Sequence, residues 1–155
     1  MVTDDYLFCE SRIIDHLRAS IPDLVEVGSA AGLEAIQDGN VPVPSAWVFY
    51  LGDAVSGSTA SVGGQRAQQQ TVTQLWAVLL AVYFADGRGL GADINGTAGP
   101  LISRVLEAMR GWTPDEKTVP RVRRSAQQLP VQYDNGYGFY PLVYQIQIPA
   151  SLGGY

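Results

Sequence analysis

The chain has 155 residues, 46% of them hydrophobic and 16% charged, with 15 acidic against 10 basic residues and a formal charge of −5. That length fits one domain burying about two-thirds of its unfolded surface, and 3 Trp, 8 Tyr and 4 Phe exclude disorder of the whole chain. The acidic balance argues against holding nucleic acid by bulk charge, and the longest apolar run, Leu75 to Ala85, is about half the roughly 20 residues a membrane helix needs.

Tyr6, Cys9, Ile13, Ile14, Leu17 and Ile21 recur at three- and four-residue steps, which predicts an amphipathic first helix. Thr3 or Asp4 is its candidate cap, and Pro22 places its end at or just after Ala19. The acidic Asp4-Asp5 start is unlike the basic head of a secretion signal. Cys9, the lone cysteine, cannot close an internal disulfide and suits a reducing compartment. Leu24 to Val27 reads as a short strand, Ala30 to Ile36 as a short helix or turn, and Ala46 to Leu51 as a buried strand that is apolar on both faces. Ala54 to Ala67 is rich in Gly, Ser, Thr and Ala, carries Arg66 as its only charge, and reads as a mobile loop or arm tip. Gln68 to Phe84 begins polar and ends apolar. We read its second half as a core strand and its first half as the same strand running into solvent, forming a long β-hairpin arm with the strand before the loop.

After a Gly-rich stretch, Ile94, Ala98, Leu101, Ile102, Val105, Leu106 and Met109 give the clearest helical stripe. Either Asp93 caps it and Pro100 kinks it, or Thr97 caps it and Pro100 falls in the first turn. Gly111 can take the left-handed conformation that ends a helix, Trp112 can fold back, and Pro114 blocks continuation. Val119 to Ser125 reads as a basic strand, Asp134-Asn135-Gly136 as the signal of a two-residue hairpin, and Tyr140 to Ile148 alternates as a half-buried strand does. The expected class is α+β, a largely antiparallel mixed sheet with two main helices on one face, in a single domain over residues 1–155.

Catalytic patterns are weak. Cys9 and His16 share a helix face but sit about two turns, roughly 10 Å, apart, which leaves a half-buried thiol and a surface imidazole and no dyad. Gly87 to Ala92 fits G-x-G-x-x-A between a strand and a helix, yet the acid expected about twenty residues on falls inside that helix. Asp4/Asp5 and Asp115/Glu116 are carboxylate pairs in polar surroundings, where nothing perturbs them toward acid–base work. No cofactor or metal set can be assembled. The charge pattern says more: Arg104, Arg110, Lys117, Arg121, Arg123 and Arg124 cluster late, whereas acids dominate the first 40 residues. A solvated strand edge accounts for such charges. The functional reading is a basic edge that meets the acidic face of a neighbouring copy head to tail, the arrangement that closes into rings. The interface candidates are Arg66, Gln68 and Gln70 on the arm with Arg121, Arg123 and Arg124; Trp47, Trp76, Gly111, Trp112 and Pro114 are structural candidates.

The order of these features resembles the tail terminator (tail completion) proteins of long-tailed bacteriophages. The likeness spans most of the chain: Ile21-Pro22-Asp23-Leu24 after the first helix, Ala30-Ala31-Gly32-Leu33, Ala46-Trp47-Val48-Phe49, Gln69 to Trp76, Ala98-Gly99-Pro100-Leu101-Ile102, Gly111-Trp112-Thr113-Pro114 and Phe139-Tyr140-Pro141-Leu142. The resemblance implies a non-enzymatic virion protein, a hexameric ring at the head-proximal end of the tail tube. Its expected partners are itself, the tail tube protein, a neck or head-completion protein, and a sheath protein in some tails. DNA would pass the lumen without specific binding, and no membrane is involved. A head-to-tail connector is the alternative reading, and a small-molecule enzyme or binding domain a third.

Overall fold

The computed structural model describes residues 5–36, 40–57, 70–84 and 91–149. In chain order the elements are α1 (Cys9–Ser20), β1 (Glu26–Ser29), α2 (Ala30–Glu34), β2 (Ser45–Gly57), β3 (Gln70–Tyr83), α3 (Gly91–Met109), β4 (Arg123–Arg124), β5 (Gln132–Asp134) and β6 (Tyr137–Ile148). The strands form one sheet in the order β1-β2-β3-β6-β4, with β5 also paired to β6. β1 runs parallel to β2 and every other pairing is antiparallel, so the protein is α+β with a mixed, largely antiparallel sheet.

Strand alternation divides the residues between two faces. Val48, Val78 and Leu142 lie in register on one face, as do Trp76 and Tyr144, Leu80 and Tyr140, and Val72 and Ile148. These residues join Cys9, Ile13 and Leu17 of α1 and Ala98, Val105 and Met109 of α3 in one buried core. The described side chains of both helical stripes therefore pack where their periodicity predicts. No helix among the described residues is long and apolar enough to cross a membrane.

Several local expectations need correction. α1 starts at Cys9 after a turn in which Asp5 Oδ1 accepts the Leu7 N–H at 2.9 Å, and Phe8 supplies no side-chain cap; Thr3 and Asp4 lie outside the described residues. β2 runs on through Ala54 to Gly57, paired with Gln70 to Thr73, so the expected loop begins later than its composition suggests. Residues 58–67 of that stretch lie outside the described residues, as does most of Gly87 to Ala92. The polar half of β3 does not run into solvent either. Val72 and Gln74 are fully buried, because β6 pairs as far as Val72 and the N-terminal segment covers Gln74. Gln74 is bonded at both ends of its amide there: Nε2 donates to the Tyr6 carbonyl at 2.7 Å and Oε1 accepts the Trp76 indole N–H at 3.0 Å.

α3 is already helical at Gly91, upstream of both Asp93 and Thr97, and Pro100 lies within it. It ends as expected, with Gly111 at φ +70°. The basic segment is strand only at Arg123 and Arg124. Before it, Val119 and Val122 turn inward, with the Val122 N–H on the Trp112 carbonyl at 2.8 Å and the Val119 carbonyl accepting from the Thr113 hydroxyl at 2.7 Å. The Asn135-Gly136 turn has φ +48° and +85°, the doubly left-handed geometry that closes a two-residue hairpin.

Candidate functional site

In a sheet protein of this kind the surfaces open to partners are its two edges, its uncovered face and any strand that outruns its neighbours. The β1 edge is acidic. An open groove of about 600 Å³ straddles it, rimmed by Glu10 and Asp15 from α1 and Glu26 from β1, with Ile14, Ile36 and Trp47 among its walls. Trp47 is only 2% exposed, its indole N–H donating to Ser45 Oγ at 2.8 Å. A Cβ at Gly28 would come within 2.7 Å of the Trp47 ring, so glycine there is what lets the indole lie against the strand. Arg18 sits on the same rim, donating to the Val27 carbonyl at 2.7 Å and standing 3.8 Å from Glu26.

The opposite edge is basic. β4 lays Arg123 against Gln145 and Arg124 against Tyr144, and both arginines are exposed. Arg121 is tied back, its guanidinium donating to the Gly111 carbonyl just past α3. Beyond β4 the Gln128 side chain stands in for a strand: its Oε1 accepts the Val143 N–H and its Nε2 donates to the Val143 carbonyl, each at 3.0 Å. Of the expected interface residues, then, Arg123 and Arg124 share the free edge and Arg121 lies behind it. Gln70 is far off, opposite Gly57 at the end of the β2–β3 hairpin, and Arg66 and Gln68 lie outside the described residues.

That hairpin outruns β1, which pairs only with Ser45 to Val48. Past that point β2 has a partner on one side, carries a bulge at Leu51 before Gly52 (φ +106°), and is anchored by the Tyr6 hydroxyl on the Asp53 carboxylate. Burial, then the neighbouring carboxylate, pushes the Tyr6 phenol up, so it remains a donor.

Sequence reasoning missed a second surface. The face away from α1 and α3 holds a groove of about 410 Å³ lined by Phe49, Leu51, Leu79, Leu129, Pro130, Phe139 and Pro141. The available signal was the second apolar parity of β2, β3 and β6, together with Leu129-Pro130-Val131 beside it. Leu129 and Val131 are 47% and 43% exposed.

The groups that could carry chemistry are engaged within the fold. Cys9 is fully buried and its thiol is pushed up to about 12, first by burial and then by Asp5, so it is no nucleophile at neutral pH. His16 is not a surface group: its Nε2 donates to the Ala108 carbonyl at 2.6 Å and its ring stacks on Trp112. Asp115 is held below the usual carboxylate range by the Thr118 hydroxyl and the Lys117 N–H, the opposite of what a general acid requires. Trp76 is fully buried and Pro114 is buried behind the α3 terminus.

A family model described as "Phage tail terminator protein" matches residues 3–151. No curated protein matches the chain. One solved chain aligns over 92% of both sequences at 12% identity with a TM-score of 0.47. The chain belongs to the phage tail terminator protein family, a structural protein of the virion tail that associates with other tail proteins.

Proposed function

We propose that copies of this chain join head to tail into a hexameric ring on the head-proximal end of the tail tube, with residues 1–155 acting as one tail-terminator domain. The ring stops tube polymerisation and offers its far surface to a neck or head-completion protein, and in a contractile tail it also meets the sheath. It catalyses no reaction and takes no cofactor. One observation carries this reading. The strand order puts an acidic groove on the β1 edge and the exposed arginines Arg123 and Arg124 on the β4 edge, at opposite sides of one sheet. A contact between unlike surfaces leaves each copy with one of each still free, so association continues until rotation closes it. The arm, with Arg66, Gln68 and Gln70, supplies a further contact to the neighbour or the tube. A net negative subunit also suits a lumen through which DNA passes without adhering.

The test is to add the purified chain to polymerising tail tube protein and examine the products by electron microscopy. Shorter tubes bearing a six-fold cap at one end are expected. Unaltered tube lengths with no cap, or binding only to portal-side components, would overturn the reading in favour of a connector.

A further inference from the structure

The acidic groove already holds one guanidinium. Arg18 lies on its rim with a hydrogen bond to the strand carbonyl of Val27 and an ion pair to Glu26. This is an in-chain sample of the chemistry the groove accepts: a planar cation matched at once to an edge carbonyl and a carboxylate. Arg18 answers one of the three rim acids. Among the described residues Glu10 and Asp15 have no ion pair, and neither have Arg123 and Arg124. The groove straddles the β1 edge, with α1 residues on one side and Gly28, Gly32 and Trp47 on the other. Arg123 and Arg124, as successive strand residues, project to opposite faces of the β4 edge and so straddle it in the same way.

We infer that this groove is the socket into which a second copy inserts its Arg123-Arg124 strand, with one of the two guanidiniums facing the α1 carboxylates Glu10 and Asp15. The inference rests on the ring reading above and deepens it by naming the strand that enters the groove and the carboxylates that receive it. Charge complementarity selects the occupant: the described β4 edge has unpaired arginines, and the opposite edge of the same sheet has unpaired carboxylates beside a bound guanidinium. Exposed ion pairs are individually weak, so the socket sets register and orientation and the contact responds to salt.

The experiment is sedimentation velocity on the full chain at low and high salt (about 0.05 and 0.5 M), comparing wild type with Arg123→Glu/Arg124→Glu and with Glu10→Arg/Asp15→Arg. All four positions are exposed or half-exposed, and far-ultraviolet circular dichroism checks that each variant folds. Wild type is expected to self-associate at low salt, and each reversal alone to weaken this at least about tenfold. Mixing the two variants should restore assembly with alternating copies, because each reversed strand then faces a reversed socket and each native strand a native one. Failure of the mixture to assemble, or wild-type association by the socket variant, overturns the socket; if the tube is still capped, the ring stands and its copies join elsewhere. A wild type that stays monomeric at both salts while the socket variant loses tube binding also overturns it, making the groove a site for the tube protein.

Discussion

His16 and Trp112 lie face to face, ring centroids 4.4 Å apart and planes 7° from parallel. The same imidazole satisfies the Ala108 carbonyl, one of the last-turn acceptors that a helix leaves without partners. The middle of α1 is thereby clamped to the end of α3, and Gly111 makes this possible by turning the chain back through a left-handed conformation.

Trp112→Ala should destabilise the protein by about 2–3 kcal/mol in urea unfolding. This is less than the roughly 3–5 kcal/mol of a fully buried aromatic because Trp112 is half-buried. A double-mutant cycle with His16→Ala should return a coupling of about 1 kcal/mol. Additive losses would mean that the rings touch without contributing.

At Gly28 the added methyl of Gly28→Ala meets the Trp47 ring at 2.7 Å, and the indole is pinned by its bond to Ser45. The substitution should cost about 1–3 kcal/mol and shift tryptophan fluorescence, since the wall of the acidic groove must move. Unchanged emission and stability would show that Trp47 can swing freely.

Gln128→Ala should cost about 1–2 kcal/mol, because both main-chain groups of Val143 lose a partner. The more specific readout is hydrogen exchange: the Val143 amide should speed up strongly, while Ile146, paired with Gln74 in the sheet interior, should not. An unaffected Val143 amide would mean that the Ser125–Gln128 segment is not held there by its side chain.

Asp115 gives a pH signature. Its folded carboxyl is depressed below 3.8 by the Thr118 hydroxyl and the Lys117 amide. The folded form therefore holds its proton more weakly than the unfolded one, which stabilises the fold above the unfolded value and is lost as pH falls through the folded value. Asp115→Asn should lower the thermal midpoint at neutral pH, and its gap to wild type should close toward strong acid. A gap constant with pH would assign the loss to geometry alone.

Elements fixed by near neighbours were legible in the sequence. Asn135-Gly136 turns, Gly111 to Pro114 stop a helix, and Tyr140 to Ile148 alternates, each because the cause lies within a few residues. What depended on distant partners was not. Gln74 looked solvated because the group that receives it, the Tyr6 carbonyl, is 68 residues away. His16 looked like surface because Ala108 lies 92 residues on. Val119 to Ser125 has strand composition, yet most of it is diverted by the Trp112 carbonyl and the Thr113 hydroxyl. The arginines and carboxylates could be counted along the chain, but their placement on opposite edges follows from β1 joining β2 in parallel, which no local pattern encodes.

The central position of β3 has a consequence for synthesis. One of its two hydrogen-bonding sides is filled by β2, made just before it, and the other by residues 137–148. A chain emerging from the ribosome can close the first hairpin early, but it must hold the apolar rungs from Val72 to Val82 half-zipped until translation reaches β6. Completion of the sheet is thus timed by its latest-made segment, and a stop codon anywhere in 137–148 would leave an adhesive intermediate in place of a shortened native subunit.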